Sequence, residues 1–194
     1  MNREMEEIEA KFLDIDVPAL VSKLESLGSQ KIADYSYKRK LFDFPDGRLN
    51  AENKMIRLRD EGGAVTFTYK QRFGNANDHT EGGTTEIETT VGDFLTAEKI
   101  LHALGLVEKI YKENKRTRYV LDGVEVDIDS WPMIPTYLEL EAKSWDAIKS
   151  VSEKLGLDYE KHTRGSNREI YNLYGIDEAS YSVLTFEKQE LSQK

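Results

Sequence analysis

Charged and apolar side chains alternate in several short segments of this sequence. The first segment is residues 6–12, in which Glu7, Glu9 and Lys11 alternate with apolar residues. Successive side chains of a β-strand point to opposite faces, so a strand here would have one charged and one apolar face. The charged face of such a strand ordinarily faces water. The alternative is that it lines a cavity and binds an ion or a charged ligand.

Further segments repeat this pattern with both signs of charge. Their charged or polar faces carry Arg57 and Arg59; Thr66, Thr68 and Lys70; Glu86 and Glu88; Arg116 and Arg118; Glu125, Asp127 and Asp129; and Glu139 and Glu141. Paired carboxylates on different strands suit Mg²⁺ or Mn²⁺, which prefer oxygen ligands. Arginine and lysine donate hydrogen bonds to phosphate oxygens. The two sets together favour a complex of a divalent metal with a polyphosphate as the ligand.

Composition excludes several classes of function. The 194-residue chain has a net charge of −9, so it lacks the overall basic charge that is typical of proteins binding duplex nucleic acid. It contains no cysteine, which excludes disulfides and thiolate chemistry. No apolar run approaches the length that spans a membrane, and the charged N-terminus does not resemble a signal peptide. We therefore expect a cytoplasmic protein that binds neither duplex nucleic acid nor a membrane.

The spacing of apolar residues predicts strands and helices in a repeating order. The predicted strands are 4–13, 30–44, 54–60, 63–72, 84–90, 107–121, 124–130 and 137–143. Helical spacing predicts helices from Val17 to Gly28, from Asp93 to about 104 and from Trp145 to Gly156, with a weaker helix over 165–176. Asp122-Gly123 predicts a tight hairpin, and the polar, glycine-rich stretch 74–83 predicts a loop.

A strand, a helix ending in Leu-Gly, and a long strand with a hairpin occur at 4–72 and again at 84–130. This echo predicts an α+β fold in which eight antiparallel strands close into a barrel with the helices packed outside. The charged faces would then line a hydrated tunnel, since so many charges are too costly in a dry core. We expect one domain over residues 1–176 and a partly ordered C-terminal extension over 177–194. A purely structural β-protein would instead expose its charged face to water.

The ordered series of charged pairs resembles the CYTH family, the triphosphate tunnel metalloenzymes. Glu7-x-Glu9-x-Lys11 is similar to the ExExK signature of that family, and the later pairs follow in the family's order from about residue 4 to 175. The resemblance implies an eight-stranded antiparallel tunnel, dependence on Mg²⁺ or Mn²⁺, and substrates that carry a linear triphosphate. It is also compatible with a homodimer.

The resemblance implies roles for individual residues. The expected metal ligands are Glu7, Glu9, Glu139 and Glu141, assisted by Asp127 or Glu88. The expected triphosphate-binding residues are Lys11, Arg57, Arg59, Lys70, Arg116 and Arg118. The expected catalytic set is Glu9, Lys11, Lys70 and Asp127. The choices between Glu86 and Glu88, and between Asp127 and Asp129, stay open.

Three functions fit these residues. The preferred one is metal-dependent hydrolysis of inorganic triphosphate, a nucleoside triphosphate or thiamine triphosphate. A class IV adenylate cyclase, which converts ATP to cyclic AMP and pyrophosphate, is the alternative, and a non-catalytic nucleotide- or polyphosphate-binding module ranks third. A cyclase needs a pocket for the base, and Trp131 and Tyr137 are the aromatic candidates, although packing is the simpler explanation for both.

Overall fold

The computed structural model describes residues 8–72 and 84–192. The chain divides into two compact units. Unit 1 consists of Met1–Tyr35 and Lys115–Ile176, and unit 2 consists of Ser36–Asn114 and Asp177–Lys194. Each unit is described below by itself.

The fold belongs to the α+β class, with helices beside a large antiparallel sheet. Its strands are β1 (Ile8–Phe12), β2 (Gln30–Asp43), β3 (Lys54–Asp60), β4 (Val65–Arg72), β5 (Thr84–Val91), β6 (Val107–Leu121), β7 (Val124–Ser130), β8 (Tyr137–Ala142), β9 (Tyr181–Leu184) and β10 (Gln189–Leu191). Its helices are α1 (Val17–Ser26), α2 (Arg48–Ala51), α3 (Phe94–Ala103), α4 (Trp145–Leu155) and α5 (Asn167–Leu173). Strands β2 and β6 each run through both units.

In unit 1 the strand order is β1-β8-β7-β6-β2. The apolar faces of β1, β6, β7 and β8 form one core with α1 and α4, to which the helices contribute Leu20, Leu24, Ile148, Val151 and Leu155. The helices therefore cover the apolar face of the sheet, as the alternation of residue types predicts. The charged side chains of these strands project from the opposite face.

In unit 2 the strand order is β6-β2-β3-β4-β5, with β9 parallel to β6 and β10 antiparallel to β9. A second core contains Phe42 of β2, Leu58 of β3, Leu101 of α3 and Leu106. As in unit 1, one face of a helix packs against one face of the sheet. The polar residues of β3, β4 and β5 therefore project away from α3.

Local sequence explains where the helices begin and end. Asp16, Asp93 and Ser144 cap α1, α3 and α4 by accepting hydrogen bonds from the backbone N–H three residues later. Helix α4 ends at Gly156, whose φ of 79° lies in the left-handed region that glycine adopts without strain. Helix α5 begins with a capping box between Ser166 and Glu169.

The predicted strands 54–60, 107–121 and 124–130 agree with β3, β6 and β7 residue for residue. The short helix α2 and the strands β9 and β10 were not predicted. The loop expected at 74–83 lies outside the described residues. Barrel closure and the single-domain boundary at 176 stay predictions. No helix in the ranges 8–72 and 84–192 is long and apolar enough to cross a membrane.

Burial of the apolar face of β8 predicts a large stability effect for Leu140→Ala. Leu140 is 0% exposed and lies between two charged-face residues of β8. Loss of its contacts is expected to reduce the free energy of unfolding by about 2–5 kcal/mol in urea denaturation. The matched control is Leu173→Ala in α5, where leucine is 66% exposed and the expected change is within about 0.5 kcal/mol. Equal losses in the two variants would contradict this assignment of the core.

Candidate functional site

The charged residues of unit 1 form rows across neighbouring strands. Strand register sets Glu9 of β1 opposite Glu141 of β8, and Glu141 opposite Glu125 of β7. Three carboxylates are thus direct neighbours on three adjacent strands. Like charges directly opposite each other destabilise a sheet, so this row needs a compensating positive charge.

The next row alternates in sign. Lys11 of β1 lies opposite Glu139 of β8, which lies opposite Asp127 of β7, and Asp127 lies opposite Arg118 of β6. Arg118 donates to both oxygens of Asp127 at 2.8 and 2.7 Å. Lys11 Nζ contacts Glu9 Oε1 at 2.7 Å and Glu139 Oε2 at 3.2 Å. Lys11 therefore joins this alternating row to the row of three carboxylates.

Arg116 is the centre of the buried ion network in unit 1. It donates to both oxygens of Asp129, at 2.7 and 2.5 Å, and to Glu139 at 3.0 Å. Its Nη1 also lies 2.5 Å from Asp127 Oδ2. One guanidinium thus binds three carboxylates from β7 and β8, which uses the fork of donors that arginine provides.

Burial of the charged side chains distinguishes a charged face that is turned to water from one that binds an ion or a charged ligand. Asp127 and Asp129 are each 1% exposed, Lys11 is 4% exposed and Glu139 is 7% exposed. Burial would raise the pKa of Glu139, but Lys11 and Arg116 lower it to about 2. These charges do not face water as on an ordinary amphipathic strand. Such a buried network is a costly way to gain stability, which favours a binding role.

The chemistry of this face fits a hard divalent cation. Six acids (Glu9, Glu125, Asp127, Asp129, Glu139 and Glu141) share it with three cations (Lys11, Arg116 and Arg118), and all the acidic donors are oxygens. In the described ranges no three acidic side chains already converge as metal ligands. The reason is visible at Asp127, Asp129 and Glu139, whose carboxylates are bound by cationic side chains.

Unit 2 has a second charged cluster, on β3, β4 and β5. Arg57 Nη2 lies 3.4 Å from Glu86 Oε1 and 3.3 Å from Glu88 Oε2, while Lys70 Nζ lies 2.9 Å from Glu86 Oε2. Arg59 pairs with Glu61 at 2.6 Å. Glu86 and Glu88 are partly exposed, and the contacts of Arg57 with them are longer than any contact of Arg116 with an acid. Arg57 is therefore suited to release a carboxylate and take a phosphate oxygen.

Arg57 retains an unused donor in this cluster. Its Nε is buried and has no hydrogen-bond partner among residues 8–72 and 84–192. An unmade hydrogen bond of a buried charged group is costly, so the position favours an anionic acceptor. Burial and the neighbouring Arg59 lower the pKa of Arg57, against the opposing effect of Glu86. The lowered pKa shows that burial of this guanidinium is costly.

The structure therefore brings the predicted residues together in two sets. Unit 1 joins Glu9, Lys11, Arg116, Arg118, Asp127 and Glu139 through contacts, with Glu141 opposite Glu9 in the strand register. Unit 2 joins Arg57, Arg59, Lys70 and Glu88, with Glu86 between Arg57 and Lys70. The predicted metal ligand Glu7 lies outside the described residues.

Three charged residues were not predicted as site candidates. Arg39 and Lys112 are buried cations on the long strands β2 and β6, and Glu178 is a buried acid in a short 3₁₀ turn before β9. Both faces of β2 carry charged residues, so the alternation of residue types alone does not show which face is buried. The signal that could have found Arg39 is its position opposite Arg59 in the strand register.

Comparison with known protein families assigns the chain to a family. The model of the CYTH domain matches residues 5–167. This match covers all the predicted site residues from Glu7 to Glu141. The chain belongs to the CYTH domain family.

Relatives of this CYTH protein agree in sequence or in fold. A protein of Methanocaldococcus jannaschii named "Putative adenylate cyclase" is 28% identical over 150 residues, which are 77% of this chain and 82% of that protein. A conserved hypothetical protein from Pyrococcus furiosus has a similar fold, with a TM-score of 0.67 at 22% identity over 84% of this chain and 99% of that one. A protein from Hippeastrum, described as a "Putative adenylyl cyclase" that "reveals a dominant" triphosphatase activity, has a TM-score of 0.63 at 13% identity over 89% and 97% of the two chains.

The position of Arg116 among three carboxylates predicts that Arg116→Gln destabilises this CYTH protein strongly. The variant leaves Asp129 buried without its bidentate partner, and the expected loss in the free energy of unfolding is about 3–5 kcal/mol. The measurement is urea unfolding followed by circular dichroism.

The control removes a charge from an exposed pair. Lys154→Gln breaks the pair with Asp122, in which both side chains are about half exposed, and is expected to cost less than about 1 kcal/mol. If both variants lost the same small amount, Arg116 would not be the centre of a desolvated network.

Proposed function

We propose that this protein hydrolyses a triphosphate in a reaction that depends on Mg²⁺ or Mn²⁺. The observation that carries the proposal is the row of carboxylates Glu9, Glu141 and Glu125 beside the buried cations of unit 1. Excess negative charge on one sheet face attracts a divalent cation, and adjacent guanidinium and ammonium groups attract phosphate. Membership of the CYTH family supports the same ligand pair.

In this proposal the metal is held by Glu9, Glu139 and Glu141 of unit 1, with Asp127 assisting, and Glu7 is the further candidate outside the described residues. A bound Mg²⁺ or Mn²⁺ would neutralise charge on the phosphate oxygens and make water a stronger nucleophile. Water attacks the terminal phosphorus and loses a proton, and the bond from that phosphorus to the bridging oxygen breaks. The bridging oxygen leaves with the rest of the phosphate chain, and the terminal group is released as orthophosphate.

The cationic side chains bind and orient the substrate. Lys11 stays protonated, because Glu139 and Glu9 raise its pKa although burial opposes them. It therefore serves as a positive ligand for phosphate oxygens rather than as a base. Arg116 and Arg118 have the same role in unit 1, and we assign Arg57, Arg59 and Lys70 to phosphate binding in unit 2.

Burial of two aromatic side chains supports a substrate that needs no stacked base. Trp131 is 6% exposed and Tyr137 is 2% exposed, so neither presents an open ring face to a ligand. The described activity of the Hippeastrum protein, a dominant triphosphatase, is in line with this preference. The name of the Methanocaldococcus jannaschii relative keeps adenylate cyclase as the second candidate.

Product analysis separates the candidates. The protein is incubated with tripolyphosphate, ATP or thiamine triphosphate in the presence of Mg²⁺ or Mn²⁺, and with excess chelator as the blank. We expect metal-dependent release of orthophosphate from at least one of these substrates. Cyclic AMP with pyrophosphate from ATP would establish the cyclase instead. Metal-dependent binding of all three compounds without turnover would support the third function, a non-catalytic nucleotide- or polyphosphate-binding module.

The carboxylate row predicts a specific loss for Glu141→Gln. The substitution keeps the size of the side chain but removes a charge from the row, so turnover is expected to fall about 100-fold or more. Mn²⁺ affinity, measured by calorimetry without substrate, is expected to fall about tenfold or more for the same reason.

The matched control is Glu153→Gln on the exposed face of α4, which removes the same charge from unit 1. It should leave both turnover and Mn²⁺ affinity unchanged. Equal effects of the two substitutions would show a response to net charge rather than to the row.

A further inference from the structure

Glu178 forms a buried ion pair with Lys112. Its Oε1 lies 2.5 Å from Lys112 Nζ. Glu178 is 8% exposed and Lys112 is 5% exposed. Glu178 stands just before β9, which runs parallel to β6 with Leu184 opposite Lys112. It also lies beyond residues 5–167, the part of the chain that the family model matches.

Lys112 is one member of a group of buried cations in unit 2. Arg39 lies opposite Arg59 in the strand register, and its Nη2 donates to Asn114, two residues after Lys112 on the same face of β6. The charges of Arg39 and Arg57 both act on Lys112. We call Lys112, Arg39 and Arg57 the cation group.

Burial and the neighbouring cations both act against the positive charge of Lys112. Burial lowers the pKa of Lys112, Glu178 raises it, and Arg39 and Arg57 lower it further, with a net decrease. Arg57 Nε, a buried donor without a partner in the described ranges, lies in the same group. That unpaired donor of Arg57 is a position in the cation group at which an added anion can accept a hydrogen bond.

We propose that Glu178 is an intramolecular counter-anion that competes with substrate phosphate for the cation group, and so determines how tightly unit 2 binds a phosphate chain. A carboxylate and a phosphate accept the same hydrogen bonds from ammonium and guanidinium groups. While Glu178 is paired with Lys112, it lowers the positive potential that a phosphate would meet. This inference rests on the proposed function, in that phosphate is taken as the ligand.

A purely structural role for the pair makes a different prediction. If Glu178 only fastened residues 177–192 to unit 2, its removal would change stability without tightening phosphate binding. The test therefore measures binding directly. It uses tripolyphosphate and metal-free protein in excess chelator, so that no turnover occurs.

Glu178→Gln is expected to bind tripolyphosphate about tenfold more tightly than the unsubstituted protein in isothermal titration calorimetry, with a steeper dependence on salt. The control Glu187→Gln removes the same charge from an exposed position of the same segment and should leave the affinity unchanged. A folded Glu178→Gln protein with unchanged or weaker affinity would overturn the proposal.

A second measurement needs no substitution, which matters because removal of Glu178 takes a carboxylate away from the buried Lys112 and can lower stability. Tripolyphosphate bound to the unsubstituted protein should displace Glu178 from Lys112. Amide hydrogen exchange in residues 178–184 should then become faster. Unchanged or slower exchange there at saturating tripolyphosphate would contradict the competition.

The two proposals fail separately. Hydrolysis of tripolyphosphate with Mn²⁺, together with unchanged binding by Glu178→Gln, would sink only the role of Glu178. Tighter binding by Glu178→Gln without hydrolysis of any triphosphate would sink only the catalytic function.

Discussion

Repulsion among carboxylates on adjacent strands is the constraint on which the charged face of unit 1 depends. Glu9, Glu141 and Glu125 are direct neighbours in the register of β1, β8 and β7, an arrangement that costs stability in a sheet. The protein offsets part of this cost with Lys11 and Arg118, which contact the two ends of the row. The face as a whole carries six acids and three cations, which is the physical reason to expect a divalent cation there.

The apolar face of the same strands makes this arrangement possible. Side chains of α1 and α4 pack against the opposite face of β1, β7 and β8, so hydrophobic burial keeps the strands in register while the charged face is unfavourable. Arg116 then holds Asp127, Asp129 and Glu139 with short contacts. Unit 2 differs in that Arg57 makes longer contacts with half-buried acids, which suits exchange with a ligand.

Strand ends and the charged faces of strands could be predicted from the sequence where one local signal was unambiguous. Asp122-Gly123 set the ends of β6 and β7, and strict alternation assigned Asp127 and Glu139 to one face. Arg39 could not be found in this way, because charges occupy both faces of β2. Glu178 could not be found because its partner Lys112 is 66 residues away and parallel pairing of β9 with β6 has no short-range signal. The family resemblance was confirmed, and the roles that it implies for individual residues stay predictions.

The central claim is that the carboxylate row binds a divalent cation, and thermal unfolding of chelator-treated protein in a Mn²⁺ titration tests it most directly. A cation that binds only the folded protein should raise the melting temperature in a saturable way, with a stabilisation of about 2.7 kcal/mol at a hundred times the dissociation constant. A sodium salt of the same ionic strength should not reproduce this rise. Equal effects of Mn²⁺ and sodium, or no effect of Mn²⁺, would contradict the account.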